Sequence, residues 1–270
     1  MNDSLSAPLG PIRSETRETR KIEYLSPPAQ VSMADAWYQI AALEHFWIRR
    51  RFQVFQQLAG DLVAKAKEIA EIGCGHGILQ RQIEDAYGRA VTGFDLNDFA
   101  LRQNISRKSL VCCYDIFQAD ESLKQKFDLL FLFDVLEHID DEDRFMKAVL
   151  FHLHPKGHLV INVPAAQWLY SAYDRAAGHV RRYSLSSLRE TAERNRLRLK
   201  TGTYWGLPLV PPLLVRKVLL LGETDPDKII ASGFATRGET VNAMMGALSR
   251  CEKIPQALVG TSVLAVFSLS

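Results

Sequence analysis

The 270-residue chain has little of several things that would narrow its class at once. Its four cysteines, Cys74, Cys112, Cys113 and Cys251, lack the spacing of a zinc site or a secreted disulfide framework, so they are expected as reduced thiols in or near apolar strands. Net charge is slight, at +2, and no long Lys/Arg run appears; a nucleic-acid footprint is excluded and no strongly anionic partner is required. The most apolar stretch, 207–221, is too short and too charged to span a bilayer, since it carries Arg216 and Lys217. The first residues are polar rather than a charged segment leading into an apolar run, so no signal peptide is expected and a cytoplasmic location follows. From Met1 to about Ala29 large apolar side chains are scarce, and 1–30 is expected to be a disordered or loosely docked tail. The remaining 31–270 suits a single α/β domain.

What the chain does have is organised around Glu71-Ile72-Gly73-Cys74-Gly75-His76-Gly77. A short apolar strand enters this stretch, and Ile78, Leu79, Gln82, Ile83 and Ala86 leave it at helical spacing until Gly88 supplies a stop. Alternating glycines allow positive φ and a close backbone approach to a ligand, at which the next helix points its free N–H groups. Glu71 does not suit a pyrophosphate by charge, but it can accept a hydrogen bond from a cationic or hydroxyl-bearing ligand. A second strand, 89–95, ends on Asp95, which falls 18 residues (95 − 77) after the last glycine. That is close to the offset of about 20 at which an acidic strand end meets a ribose diol. A third strand, 109–114, ends on Asp115 and Ile116. The run Phe127–Phe133 is nearly all apolar, as a central parallel strand covered on both faces should be, and ends Asp134-Val135-Leu136-Glu137-His138.

The run Glu-x-Gly-x-Gly-x-Gly resembles motif I of the class I S-adenosylmethionine-dependent methyltransferases. Phe-Asp-Leu-Leu followed by Val-Leu-Glu-His-Ile is similar to the branch holding ubiquinone-type and natural-product methyltransferases. The resemblance implies an α/β fold: a seven-stranded, mostly parallel Rossmann-like sheet, its last strand antiparallel, with helices on both faces. It implies S-adenosyl-L-methionine as cofactor, held at Glu71, Gly73, Cys74, Gly75 and Gly77. Asp95 would meet the ribose, Asp115 the adenine amine, Leu96 and Ile116 the flat base, and Phe133 and Asp134 the adjoining strand end. His45-Phe46-Trp47-Ile48-Arg49-Arg50-Arg51 is similar to a segment of that branch, which implies a helical cap over 31–60. Trp47 and one arginine, assigned as Arg49, would close the pocket and hold the cofactor's carboxylate.

On the acceptor side, His138 reads as a structural histidine, as a general base, or as a metal ligand with Asp134 and Glu137; no metal is assigned. The loop from Trp168 to Ser184 falls at the carboxyl edge of the sheet, where open α/β folds bind ligands. His138 and His179 are the catalytic candidates, and Tyr38, Trp168, Tyr173, Tyr183 and Tyr204 the substrate contacts. His152, His154 and His158 read as surface residues. An insertion over 207–258 separates strand six from strand seven; its apolar 207–221 suits a lid, a dimer face or a peripheral membrane contact, 224–239 reads as loop and 241–254 as helix. The expected function is methyl transfer to a small-molecule or lipid-like acceptor, at oxygen. The rivals are an NAD(P)-dependent oxidoreductase and a non-catalytic cofactor-binding module.

Overall fold

The structure, a computed structural model, describes residues 21–31, 42–234 and 238–270. Its strands are β1 (Glu23–Tyr24), β2 (Ile69–Ile72), β3 (Thr92–Asp95), β4 (Val111–Cys113), β5 (Phe127–Phe133), β6 (Leu153–Pro164), β7 (Leu197–Trp205) and β8 (Ser262–Leu269). They form one sheet in the order β1-β4-β3-β2-β5-β6-β8-β7. Pairings from β1 across to β6 are parallel, and β8 runs antiparallel between β6 and β7. The sheet therefore has eight strands, not seven. The addition is β1, which lies within the expected tail: Glu23 and Tyr24 pair with Cys112 and Cys113 and give the β4 edge a partner.

Alternation along β5 shows why a nearly unbroken apolar strand sits at the centre. Leu130 and Leu132 face one core with Phe145, Met146 and Val149 of α4 (Glu142–His152) and Leu188 of α6 (Leu185–Arg194). Leu129, Phe131 and Phe133 face the other core with Val54, Phe55 and Val63 of α1 (Phe46–Lys65) and Leu79 and Ile83 of α2 (Ile78–Tyr87). Both faces are thereby covered. Short helices α3 (Asp98–Arg102) and α5 (Ala172–Ala176) stand at the carboxyl edge. The insertion holds α7 (Val210–Leu219), α8 (Pro226–Phe234) and α9 (Glu239–Ser249), so much of the expected loop 224–239 is helical. Ile229 and Ile230 anchor α8 on Tyr173 and Ala177. Among the described residues no helix is long and apolar enough to cross a membrane.

Two smaller expectations are corrected. His152 is buried, its Nε2 3.0 Å from the Tyr114 hydroxyl, because the last turn of α4 lies on the sheet. Cys251 is exposed, while the other three thiols are buried.

Candidate active site

A polar cleft is built from the tips of β2, β3 and β5. Three glycines take the left-handed conformation, with φ of 77° at Gly73, 52° at Gly75 and 80° at Gly77, the last capping α2. A Cβ on Gly73 would lie 2.4 Å from Val135 Cγ2, so this position has no room for a side chain even apart from its φ. Asp95 ties β3 to the loop: its carboxylate accepts from the Gly75 N–H at 2.7 Å and from the Asn97 N–H at 2.9 Å. A cleft of about 410 Å³ opens here, lined by Arg51, Glu71, Gly73, Cys74, Gly75, His76, Phe133 and Asp134 among others. Glu71 is buried at its floor, and its Oε2 has no hydrogen-bond partner among the described residues. Burial pushes its carboxyl up to about 8; Arg51 pulls the other way, and Asp95 and Asp134 add to the rise.

Arg51 and Asp134 form the wall between this cleft and a second space. The two are ion-paired, and the guanidinium lies 5.1 Å over Trp47 and 5.2 Å over Phe133. Asp134 is a non-glycine residue at φ 58°, and its other oxygen accepts from Asn162 Nδ2 at 2.8 Å. Asn162 in turn accepts from Trp205 Nε1 at 2.9 Å, and the Trp205 ring meets Trp47 at 5.4 Å. Burial raises the Asp134 carboxyl, opposed by Arg51 and Asn162. This chain pins the tips of β5, β6 and β7 and the start of α1 together.

The second space is an apolar cavity of about 860 Å³, lined by Trp47, Asp134, Glu137, Tyr173, His179, Arg182, Leu209, Leu213, Arg216 and Met245 among others. Asp134 borders both spaces. His179 Nδ1 lies 3.1 Å from Asp174 Oδ1, and the same oxygen accepts from Arg182 Nε at 2.7 Å. Burial works to raise the Asp174 carboxyl, but the bonds from His179 and Arg182 outweigh it and hold it at about 2. An ionised Asp174 can only accept, so His179 carries its proton on Nδ1, and its Nε2 stands 4.0 Å from Glu137 Oε1. Glu137 is fully buried with neither carboxyl oxygen hydrogen-bonded among the described residues; burial first, then Asp134, raises it well above the carboxylate range. His138 sits behind His179, edge to face at 4.9 Å, and its Nδ1 donates to the Gly178 carbonyl at 3.1 Å. Burial, then the charge of His179, lowers it to about 3. Donor atoms of Glu137, His138 and His179 lie within 4.8 Å of one another, close enough to share an ion; Asp134, turned to Arg51 and Asn162, is not in that group.

The structure thus gathers Glu71, Gly73, Cys74, Gly75, Phe133 and Asp134 at one cleft. Asp95 joins them through Gly75, and Gly77 starts the helix behind. Leu96, Asp115 and Ile116 stand farther along the sheet edge, at the tips of β3 and β4, where Asp115 accepts from the Phe117 N–H at 3.0 Å. Trp47, Tyr173 and His179 line the cavity, whereas Tyr38 lies outside the described residues.

Four assignments are corrected. Arg49 is exposed and faces an outer groove with Glu44 and Arg250; Arg51 borders the cleft instead. Helical spacing explains this, since Arg51 is four residues on from Trp47 and shares its face, while Arg49 is two on and points away. Tyr204 is one residue off: strand alternation turns Trp205 toward Trp47, and Tyr204 to the other face, where its hydroxyl accepts from the Leu185 N–H at 2.8 Å. Tyr183 is a core residue bonded through its hydroxyl to Glu142, because the chain pairs beside β6 at Ala165 and carries the ring under the sheet. Trp168 is 52% exposed and offers only its carbonyl, to Lys217 Nζ at 2.6 Å. Sequence reasoning also missed Asn162, Arg216 and Met245, which enter from β6 and the insertion; only for Arg51 did the spacing hold a usable signal.

With this geometry in view, the comparisons with known proteins are direct. A family described as a methyltransferase domain matches residues 21–200, and the chain belongs to it. Tocopherol O-methyltransferase of Arabidopsis thaliana is 24% identical over 51% of this chain and 41% of its own length. A ubiquinone biosynthesis O-methyltransferase of Histophilus somni is 30% identical over 40% of this chain and 49% of its own. The chain thus spans about half the length, or less, of these curated relatives. Among solved structures, a SAM-dependent methyltransferase from Archaeoglobus fulgidus superposes with a TM-score of 0.50 at 15% identity, covering 82% of this chain and 94% of that one. The [4+2]-cyclase SpnF does so with a TM-score of 0.51 at 15% identity, covering 77% and 79%. Such likeness establishes the Rossmann-like fold and leaves the reaction to the site. S-adenosyl-L-methionine is the cofactor the family implies, and the donor set fits it: a buried, unpartnered carboxyl oxygen at Glu71 under a cradle with no room for a Cβ at Gly73.

Proposed function

We propose that the protein methylates an oxygen of a small acceptor with a largely apolar, lipid-like body. The observation that carries this reading is the shared wall at Asp134, which puts a polar glycine cleft and an apolar cavity holding a histidine side by side. In the cleft, Glu71 would take the cofactor's cationic end, Asp95 its ribose, Asp115 its adenine, and Arg51 would stand by its carboxylate. When bound, S-adenosyl-L-methionine supplies an electrophilic methyl carbon, which bonds to the acceptor oxygen as the carbon–sulfur electron pair returns to sulfur. The acceptor hydroxyl gives its proton to His179 Nε2, and Asp174 steadies the resulting imidazolium through Nδ1. Leu209 and Leu213, at the start of the insertion, act as a lid that excludes water. Holding two reactants in attack geometry can supply about 7 kcal/mol or more of the barrier reduction.

A nicotinamide enzyme fits less well. Its pyrophosphate would lie on the hinge beside a buried acid, where Glu71 offers no matching charge. Calorimetric titration with S-adenosylhomocysteine and with NADH separates the two readings: micromolar binding of the first alone supports methyl transfer, and binding of NADH alone sinks it. Transfer of labelled methyl to a panel of catechols, before and after exhaustive chelation, then reports both activity and any dependence on an ion at Glu137, His138 and His179.

A further inference from the structure

Two guanidiniums at the apolar cavity are ion-paired, Arg51 with Asp134 and Arg182 with Asp174. A third, Arg216 on α7, lines the cavity in no ion pair among the described residues. Its guanidinium lies 4.1 Å over the Tyr173 ring, and its Nε is buried with no hydrogen-bond partner among the described residues. Burial lowers its pKa, yet a guanidinium does not give up its proton under ordinary conditions, so a fixed positive charge stands in the wall beside Leu209, Leu213 and Met245.

The helix that carries it is inside out. Val215, Val218 and Leu219 on α7 are 59%, 64% and 75% exposed, while Arg216 turns inward. A helix folded only to cover a core places its apolar stripe inward and its charges in water. Lys217, the next residue, ties α7 to the Trp168 carbonyl at 2.6 Å. An unpaired cation in a low-dielectric wall is unfavourable without a counter-charge. Among the described residues no carboxylate is ion-paired with it, which leaves the ligand.

We propose that the methyl acceptor bears a carboxylate on its apolar body and that Arg216 selects it, a reading that rests on the methyl-transfer assignment of the same site. The guanidinium fork matches a carboxylate bidentately and would satisfy the orphaned Nε–H, leaving the far end of the acceptor at His179. Because Arg216 belongs to the insertion and Glu71 to the hinge, acceptor charge and cofactor are read by separate parts of the chain.

The test uses dihydrocaffeate and its primary amide, which differ in charge and hardly in shape, titrated into the full-length protein with S-adenosylhomocysteine present. The wild type is expected to bind the acid about 10-fold or more tightly than the amide, or roughly 1.4 kcal/mol. Arg216→Gln should erase that preference, and Arg216→Lys should keep part of it, since an ammonium retains the charge without the fork. Circular dichroism of both variants reports folding. Equal affinities in the wild type, a preference that survives in Arg216→Gln, or no binding of either compound each overturn the proposal. Loss of S-adenosylhomocysteine binding with the acid preference intact would instead strike the methyl-transfer reading and leave the charge selection standing.

Discussion

The glycine-hinge cleft and the apolar cavity share a wall but are made in opposite ways. The cleft is assembled from strand tips and the turn after β2, and two of its acids are tied to the sheet: Asp95 to the Gly75 backbone N–H, Asp134 to the side chain of Asn162 on the next strand. The cavity is assembled from α1, the loop after β6, and helices α7 and α9 of the insertion. Its polar groups answer to one another, as His179 does to Asp174, or, like Arg216 Nε, have no hydrogen-bond partner among the described residues. A rigid cleft suits a ligand that never changes, and a cavity walled by an insertion can be refitted to new acceptors without disturbing the sheet.

If the division is real, a change on one side should leave the other alone. The largest effect is expected from His179→Gln, which removes the proton acceptor: turnover should fall about 10²- to 10⁴-fold while S-adenosylhomocysteine binding holds within about twofold. His138→Gln should fall less than about tenfold, because that ring lies behind His179 with its Nδ1 committed to Gly178. Equal losses in single-turnover assays would remove His179 from its role. Next in size is Gly73→Ala. The φ of 77° and the 2.4 Å approach to Val135 force the hinge to move, so cofactor affinity should drop about 100-fold, or roughly 3 kcal/mol. Binding of dihydrocaffeate without cofactor should not change, and a parallel loss would show that hinge and cavity are one unit.

The same division explains what the sequence revealed. Each strand-end acid closes its own apolar run, and period-two and period-3.6 patterns place those runs, so Glu71, Asp95 and Asp134 could be picked out on the chain. The cavity's residues are far apart in sequence and meet only through tertiary packing. Trp47, Glu137, Tyr173, Arg216 and Met245 come from five elements, and no local spacing links them. Tyr204 was misplaced by one position, which in a strand reverses the face; Arg49 by two, which in a helix reverses the side. Two-residue β1 is too short for any periodic signal, and its pairing depends on an edge at β4 that is 89 residues away (112 − 23).

Glu71→Gln sharpens the comparison through pH. Folding raises this carboxyl from an ordinary 4.5 to about 8, so its contribution to stability is full below pH 4.5 and is lost as pH rises through 8. Glutamine imitates the protonated form and loses nothing over that range. The variant should therefore be more thermally stable than wild type at pH 8, by roughly 3 kcal/mol or less, and equal to it near pH 4.5. Cofactor binding should weaken in the same variant, by about tenfold. Stability and binding moving in opposite directions mark a residue held for its ligand; if both fall together, Glu71 is a structural acid.

The smallest effect is expected from Tyr204→Phe. Its hydroxyl accepts from the Leu185 N–H at 2.8 Å, at the first turn of α6, on the face turned away from Trp47. Losing that acceptor leaves one backbone donor short of a partner, a change of about 1 kcal/mol, which at this chain length lowers the melting midpoint by about 2–4 °C. Turnover and both ligand affinities should stay within about twofold, because α6 covers the core face that neither cleft nor cavity touches. A tenfold loss of turnover with an unchanged melting midpoint would mean that Tyr204 reaches the acceptor, and the strand alternation that turns Trp205 rather than Tyr204 toward Trp47 would then be wrong at β7.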